Sequence, residues 1–323
     1  MIINTGNRTD IPGFYSEWLM NRIHEGFVYV RNPYNRLQVS KYSLSPDVVD
    51  CLAFCTKNPK AMLKYLDELK EKYNMFWFVT ITPYGNDLEL NVPPYEEVLE
   101  DFKILSSKVG KNATFLRYDP ILINKDYSVE THIDMFNKFA KSLKGYTEDI
   151  IISFLDLYEK VKRNAPDIRP PNDEEQIIIA KEFVKMGKEN NMVIHGCCEN
   201  PILKEYGVEI TGCMSQEMVE KAIGFKINPT GTQAKRFELN GDNKGKAICN
   251  CLLGNDIGDY NSCMHLCRYC YANYDKELVK NNFKLHNPNS PFLIGESTKE
   301  DKIIEVNQKS WKVDNTIEQI SLF

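Results

Sequence analysis

Eight of the ten cysteines fall between Cys197 and Cys270. Three of them, Cys263, Cys267 and Cys270, form a C-x3-C-x2-C motif with Tyr269 just before the last. Three thiolates on so short a loop can take three corners of a cubane 4Fe–4S cluster. The fourth iron is then left without a protein ligand and can bind a small molecule. Zinc is the competing reading, although zinc loops usually present C-x2-C pairs and a complete set of four ligands. His265 offers a nitrogen, but two residues after Cys263 it is expected to stand too close to ligate beside all three thiols.

Cys197, Cys198, Cys213, Cys249 and Cys251 remain in the same stretch, and four of them would complete a second site. Adjacent side chains diverge in extended chain, so only one of the first two is expected to contribute. The choice is Cys198 with Cys213, Cys249 and Cys251, Cys197 being the alternative to Cys198. A second 4Fe–4S cluster or a zinc would join this part of the chain together; buried thiols without a metal are the plain alternative. Metal binding would also order the Gly- and Asn-rich stretch 226–262, because its free energy contributes to folding. Cys51 and Cys55 lie in an apolar run and read as core thiols.

A frame must position these groups. Residues 1–225 alternate short apolar runs (2–5, 27–31, 51–56, 75–82, 114–118, 150–155, 192–195 and 208–211) with amphipathic segments (15–25, 59–72, 94–109, 130–142, 173–190 and 216–225). The stretch 157–172 reads as loop. Near-continuous apolar runs suit strands buried on both faces of a parallel sheet. The expectation is an α/β fold: a (β/α)8 TIM-like barrel over 1–225 with a C-terminal cysteine-rich iron–sulfur extension. Residues 226–323 would fold back over the barrel mouth and end in a polar tail. A doubly wound open sheet is the alternative.

Barrel active sites lie at the carboxyl ends of the strands. Asn7, Arg8 and Asp10, then Asn32, Tyr34, Lys57 and Tyr84, then Arg117, Asp119 and Asp156 follow successive runs. His195, Cys197, Cys198, Glu199 and Cys213 follow the last two. Many of these types also simply favour turns. Arg8 with Asp10, and Arg117 with Asp119, sit two residues apart and share a face in extended chain. Each pair can orient a charged ligand or close a salt bridge. His195 can move protons or pack.

Composition narrows the classes. The chain has 323 residues, 42% hydrophobic and 26% charged, enough for a substantial core. Ten cysteines are too few for a disulfide scaffold of this length. A net charge of −5 argues against nucleic-acid binding driven by overall charge. No apolar run reaches the roughly 20 residues of a membrane span, and the N-terminus lacks a signal pattern. A cytoplasmic protein is expected, where clustered thiols serve as metal ligands or redox groups.

The motif Cys263-x3-Cys267-x2-Cys270 with Tyr269 resembles the signature of radical S-adenosylmethionine (SAM) enzymes, which also use barrels or partial barrels. With 256–273, Asn7-Arg8-Thr9-Asp10-Ile11-Pro12 and Arg117-Tyr118-Asp119-Pro120, the chain is similar over most of 1–275 to an uncharacterised bacterial domain-of-unknown-function family. The resemblance implies a 4Fe–4S cluster on the three cysteines and SAM on the open iron. Reductive cleavage of SAM would then start radical chemistry on an unknown substrate. It further implies a reductant such as flavodoxin or ferredoxin, and a small molecule, peptide or nucleotide as substrate. Arg8, Asp10, Arg117, Asp119 and His195 would be its catalytic residues. The order differs from most of that superfamily, in which the three-cysteine loop follows the first strand. The alternatives are a non-SAM iron–sulfur protein, for electron transfer or Lewis-acid catalysis, and a binding protein with a structural metal.

Overall fold

The computed structural model describes residues 1–230, 251–252 and 254–313. In chain order the elements begin with β1 (Ile2–Asn4), α1 (Ile11–Phe14), α2 (Ser16–Glu25), β2 (Phe27–Arg31), β3 (Gln38–Ser43) and β4 (Cys51–Thr56). A 3-10 segment (Lys60–Tyr65) leads into α3 (Leu66–Lys72), then β5 (Met75–Thr80), α4 (Tyr95–Val109), β6 (Thr114–Ile121) and α5 (Val129–Ser142). Next come β7 (Asp149–Phe154), α6 (Glu159–Asn164), α7 (Asp173–Glu189), β8 (Val193–Gly196) and α8 (Gln216–Ile223). The last are β9 (Asn255–Asp256), α9 (Lys276–Lys284) and β10 (Lys302–Glu305).

Seven strands form one parallel sheet in the order β8-β7-β6-β5-β4-β1-β9. From β1 to β8 the sheet advances one way only, so right-handed crossovers put the connecting helices on one face. Alternation along each strand splits the side chains accordingly. Phe54, Trp77, Val79, Leu116 and Ile152 face the helices and meet Trp18, Phe102, Phe136 and Phe183. Phe54 stacks on Trp77 with ring centroids 3.9 Å apart. Ile2, Cys51, Ala53, Phe76, Phe78, Phe115 and Ile151 line the other face, packed with Met218 and Val219 of α8, Leu252 and Trp311. That packing fills the inner face and leaves the carboxyl ends of the strands to polar groups.

The expected closed eight-stranded barrel is not what these residues show. The run 27–31 pairs with β3 in a separate three-stranded sheet, β10-β3-β2. Its alternating half-buried residues suit a surface sheet rather than a parallel core. The run 208–211 makes a single parallel bridge, Glu209 to His195, in place of a strand. Among the described residues no ladder joins β8 to β9. Strands on both sides of residue 225 share each sheet: β9 pairs with β1, and β10 with β3. No helix among the described residues is long and apolar enough to cross a membrane.

Candidate metal and cofactor site at the strand ends

The segment carrying Cys263, Cys267 and Cys270 leaves β9 and is tied to the ends of β1, β4 and β5. Asp10 forms the central tie. Its Oδ1 caps α1 at Gly13 N (2.8 Å); its Oδ2 accepts from Thr56 Oγ1 (3.0 Å), Lys57 N (2.8 Å) and His265 Nε2 (2.7 Å). His265 is therefore an anchor between the first two cysteines, with its ring packed edge-on to Phe14 at 4.6 Å. The turn after β5 holds the loop from the other side. Arg268 N donates to Leu88 O (2.9 Å), Asn91 N to His265 O (3.1 Å), and Asn91 Nδ2 to Met264 O (2.7 Å). Tyr15 OH donates to Ser262 O at 2.6 Å, and Asn273 Nδ2 to Cys263 O at 2.8 Å.

The three thiols do not all lie within 4.8 Å of one another. Burial, first of all, pushes the Cys263 and Cys267 thiols well up and Cys270 up, so they favour losing protons only to a compensating cation. Lys57 stands beside Cys267. Burial alone would lower its pKa, but Glu89, Cys267 and Asp119 outweigh it and hold the ammonium charged. Lys57 Nζ donates to Glu89 Oε1 at 2.8 Å, and the same oxygen accepts from Thr82 Oγ1 at 2.7 Å and from the Tyr269 hydroxyl. Tyr269, the aromatic of the motif, thus reaches a buried carboxylate.

Arg117 and Asp119 pair at 2.5 Å, and Arg117 lies 3.8 Å from the sulfur of Cys55. Burial would lower the guanidinium pKa; Asp119, Cys55, Cys213 and Cys197 together raise it well above its usual value. Cys51 is fully buried core, whereas Cys55, on the same face but four residues nearer the mouth, is half-buried. Cys55 packs against the same core cluster as Cys51. Gly6 passes so close that a Cβ there would come within 2.4 Å of the Cys55 carbonyl. Arg8 points elsewhere than Asp10: it meets Asp256 (3.7 Å) and Gly258 O (3.4 Å), where the Asp256 carboxylate also accepts from Asn7 N and Gly258 N.

A second thiol group lies across Arg117. Cys197, Cys213 and Cys251 bring their sulfurs within 4.8 Å of one another and could hold a metal ion. Cys197, rather than the chosen Cys198, joins this trio. Cys198 has φ 58° and its thiol bonds that of Cys197. Bonds from Cys198, then Cys213 and Cys251, draw the Cys197 pKa well down, while Cys213 is pushed well up by its bond to Cys197. Cys249 lies outside the described residues. None of the nine described cysteines forms a disulfide.

The family model described as Domain of unknown function (DUF1848) matches residues 2–272. The chain belongs to this family. The matched span starts on β1 and ends two residues after Cys270, so both thiol groups of this DUF1848 chain lie inside it. No curated protein matches the chain.

Three further candidate residues of this DUF1848 member are also placed by the structure. His195 Nε2 bonds Asp149 Oδ1 at 2.8 Å, and Lys221 of α8 donates to Asp149 Oδ2 at 2.7 Å. That puts His195 in a charge network at the start of β7. Glu199 is buried and accepts from Ser153 Oγ (2.9 Å) and Phe154 N (3.0 Å), fixing the turn after β8. Tyr34 is almost fully exposed beside the small sheet. Glu89 is not among the residues that the sequence singles out, and nothing in its sequence context marks it as the partner of Lys57.

Proposed function

We propose that the chain is a radical SAM enzyme whose Cys263, Cys267 and Cys270 hold a 4Fe–4S cluster over the strand ends. The observation that carries this reading is the place of β9. It is the sheet's edge strand, parallel to β1, and the motif follows it seven residues after Asp256. In space, then, the three-cysteine loop follows a strand that lies beside β1, the first strand of the chain. The late position of the motif in the sequence reflects the order in which the strands are joined.

Held there by Cys263, Cys267 and Cys270, a 4Fe–4S cluster with one open iron would supply the electron for reductive cleavage of SAM. The chain's own residues have separable tasks. Asp10 and His265 fix the loop, and the Lys57–Glu89 pair places a positive charge beside Cys267. Arg117 and Asp119 offer paired charges to SAM or substrate, while Arg8 orients the chain entering the loop. A cavity of about 660 Å³ is lined by Cys267, Arg163, Arg268, Tyr274 and Lys276. It is the approach for a reductant such as flavodoxin or ferredoxin, and the mouth receives a small molecule, peptide or nucleotide. A reducing compartment suits such thiols.

The test is anaerobic reconstitution with iron and sulfide, then SAM and dithionite. Wild type is expected to release 5′-deoxyadenosine and Cys267→Ala none. An intact cluster that never cleaves SAM would favour electron transfer or Lewis-acid chemistry instead. A chain that takes zinc and no iron would favour a structural metal.

A further inference from the structure

The two thiol groups differ in spacing, and the difference has a chemical meaning. Around one tetrahedral zinc with bonds of about 2.3 Å, two thiolates stand about 3.8 Å apart. Cys213 and Cys251 have sulfurs 3.4 Å apart, and Cys197 completes a trio within 4.8 Å. Thiolates that cap separate irons of a cubane must stand wider than thiolates sharing one ion. Cys263, Cys267 and Cys270 do not form so close a group, whereas this trio meets the narrower requirement.

The backbone points the same way. The Cys251 sulfur accepts two amide N–H groups, from Cys213 (3.1 Å) and Met214 (3.3 Å). Donation of that kind favours the charged form of a sulfur ligand. Leu252 N donates to Met214 O at 2.8 Å, and Ser215 bridges Cys251, so two short segments are clamped together around the sulfurs. Met214, Leu252 and Trp311 pack behind them.

The positions are equally informative. Cys197 directly follows β8, and Cys251 lies four residues before β9. These strands are the two edges of the seven-stranded sheet, which no ladder joins among the described residues.

We infer that Cys197, Cys213 and Cys251 bind a single thiolate-seeking ion, zinc, as a clasp between the two sheet edges, separate from the iron–sulfur loop. This inference does not depend on the cluster. The test is zinc and iron per chain, by mass spectrometry of protein made with both metals. Cys213→Ser is expected to lose one zinc at unchanged iron, and Cys267→Ser to lose iron at unchanged zinc. Iron loss in Cys213→Ser, or no change in either metal, overturns the inference. Wild type with one zinc and no iron leaves it standing and refutes the proposed function instead. Should Cys213→Ser fail to fold, cobalt added to zinc-stripped wild type decides. Thiolate-to-cobalt charge transfer with tetrahedral bands supports the clasp, and their absence overturns it.

Discussion

Replacing Asp10 by Asn keeps its shape and removes its charge. In the wild type one carboxylate accepts from four donors, three of them converging on Oδ2. An amide has one acceptor oxygen. Turned toward Thr56, Lys57 and His265, it leaves its NH2 against the Gly13 N–H and loses the α1 cap, at about 1 kcal/mol. The three remaining bonds pass from a charged to a neutral acceptor, at about 1 kcal/mol each. The total is about 4 kcal/mol. An unfolding entropy of about 2.1 cal/mol/K per residue gives about 0.7 kcal/mol/K for 323 residues, so Tm should fall by about 6 °C. The assay is thermal unfolding followed by circular dichroism, with iron per chain measured after anaerobic reconstitution. Because His265 loses its anchor, iron retention should fall as well. His24→Gln, which touches only the exposed His24–Glu68 pair, is the control and should change Tm by less than about 1 °C. An Asp10→Asn protein that melts with wild type and retains its iron would refute the argument that this carboxylate organises the loop.

Burial holds the His132 pKa down at about 4, with its ring between Tyr118 OH (2.9 Å) and Leu122 O (2.7 Å). The unfolded chain therefore takes up this proton first. Stability should fall by about 3 kcal/mol as pH drops from about 6.5 to about 4. Urea unfolding at pH 7 and pH 5 should show that slope flattened in His132→Gln. Glu89→Gln strands the Lys57 ammonium, whose side chain is 13% exposed, and should cost about 3–5 kcal/mol in urea unfolding. Adding Lys57→Met should recover much of the loss; a purely additive double variant would mean the two do not act as a pair.

Much of the frame can be read from residue type. Met75–Thr80 is buried throughout, so its unbroken apolar run signals a parallel core strand. The Asn172–Glu175 capping box marks the start of α7 as plainly. Closure was not legible, because the period of 208–211 resembles a strand whether it forms a ladder or a single bridge. The two-residue β9 carries no period at all, and its role comes from pairing with Ile3 and Asn4. The same holds for the site. Spacing identifies Cys263, Cys267 and Cys270, but the choice between Cys197 and Cys198 turns on one left-handed backbone angle. Glu89 and Lys57, 32 residues apart, meet only because adjacent strands deliver both to one end of the sheet.

The central claim is that Cys263, Cys267 and Cys270 hold a cluster with an iron open to SAM. Electron paramagnetic resonance of the anaerobically reconstituted, dithionite-reduced chain, with and without SAM, addresses that open iron directly. A reduced-cluster signal that changes on addition of SAM, and is absent from Cys270→Ser, is the expected result. A signal indifferent to SAM, or one that persists in Cys270→Ser, would contradict the account.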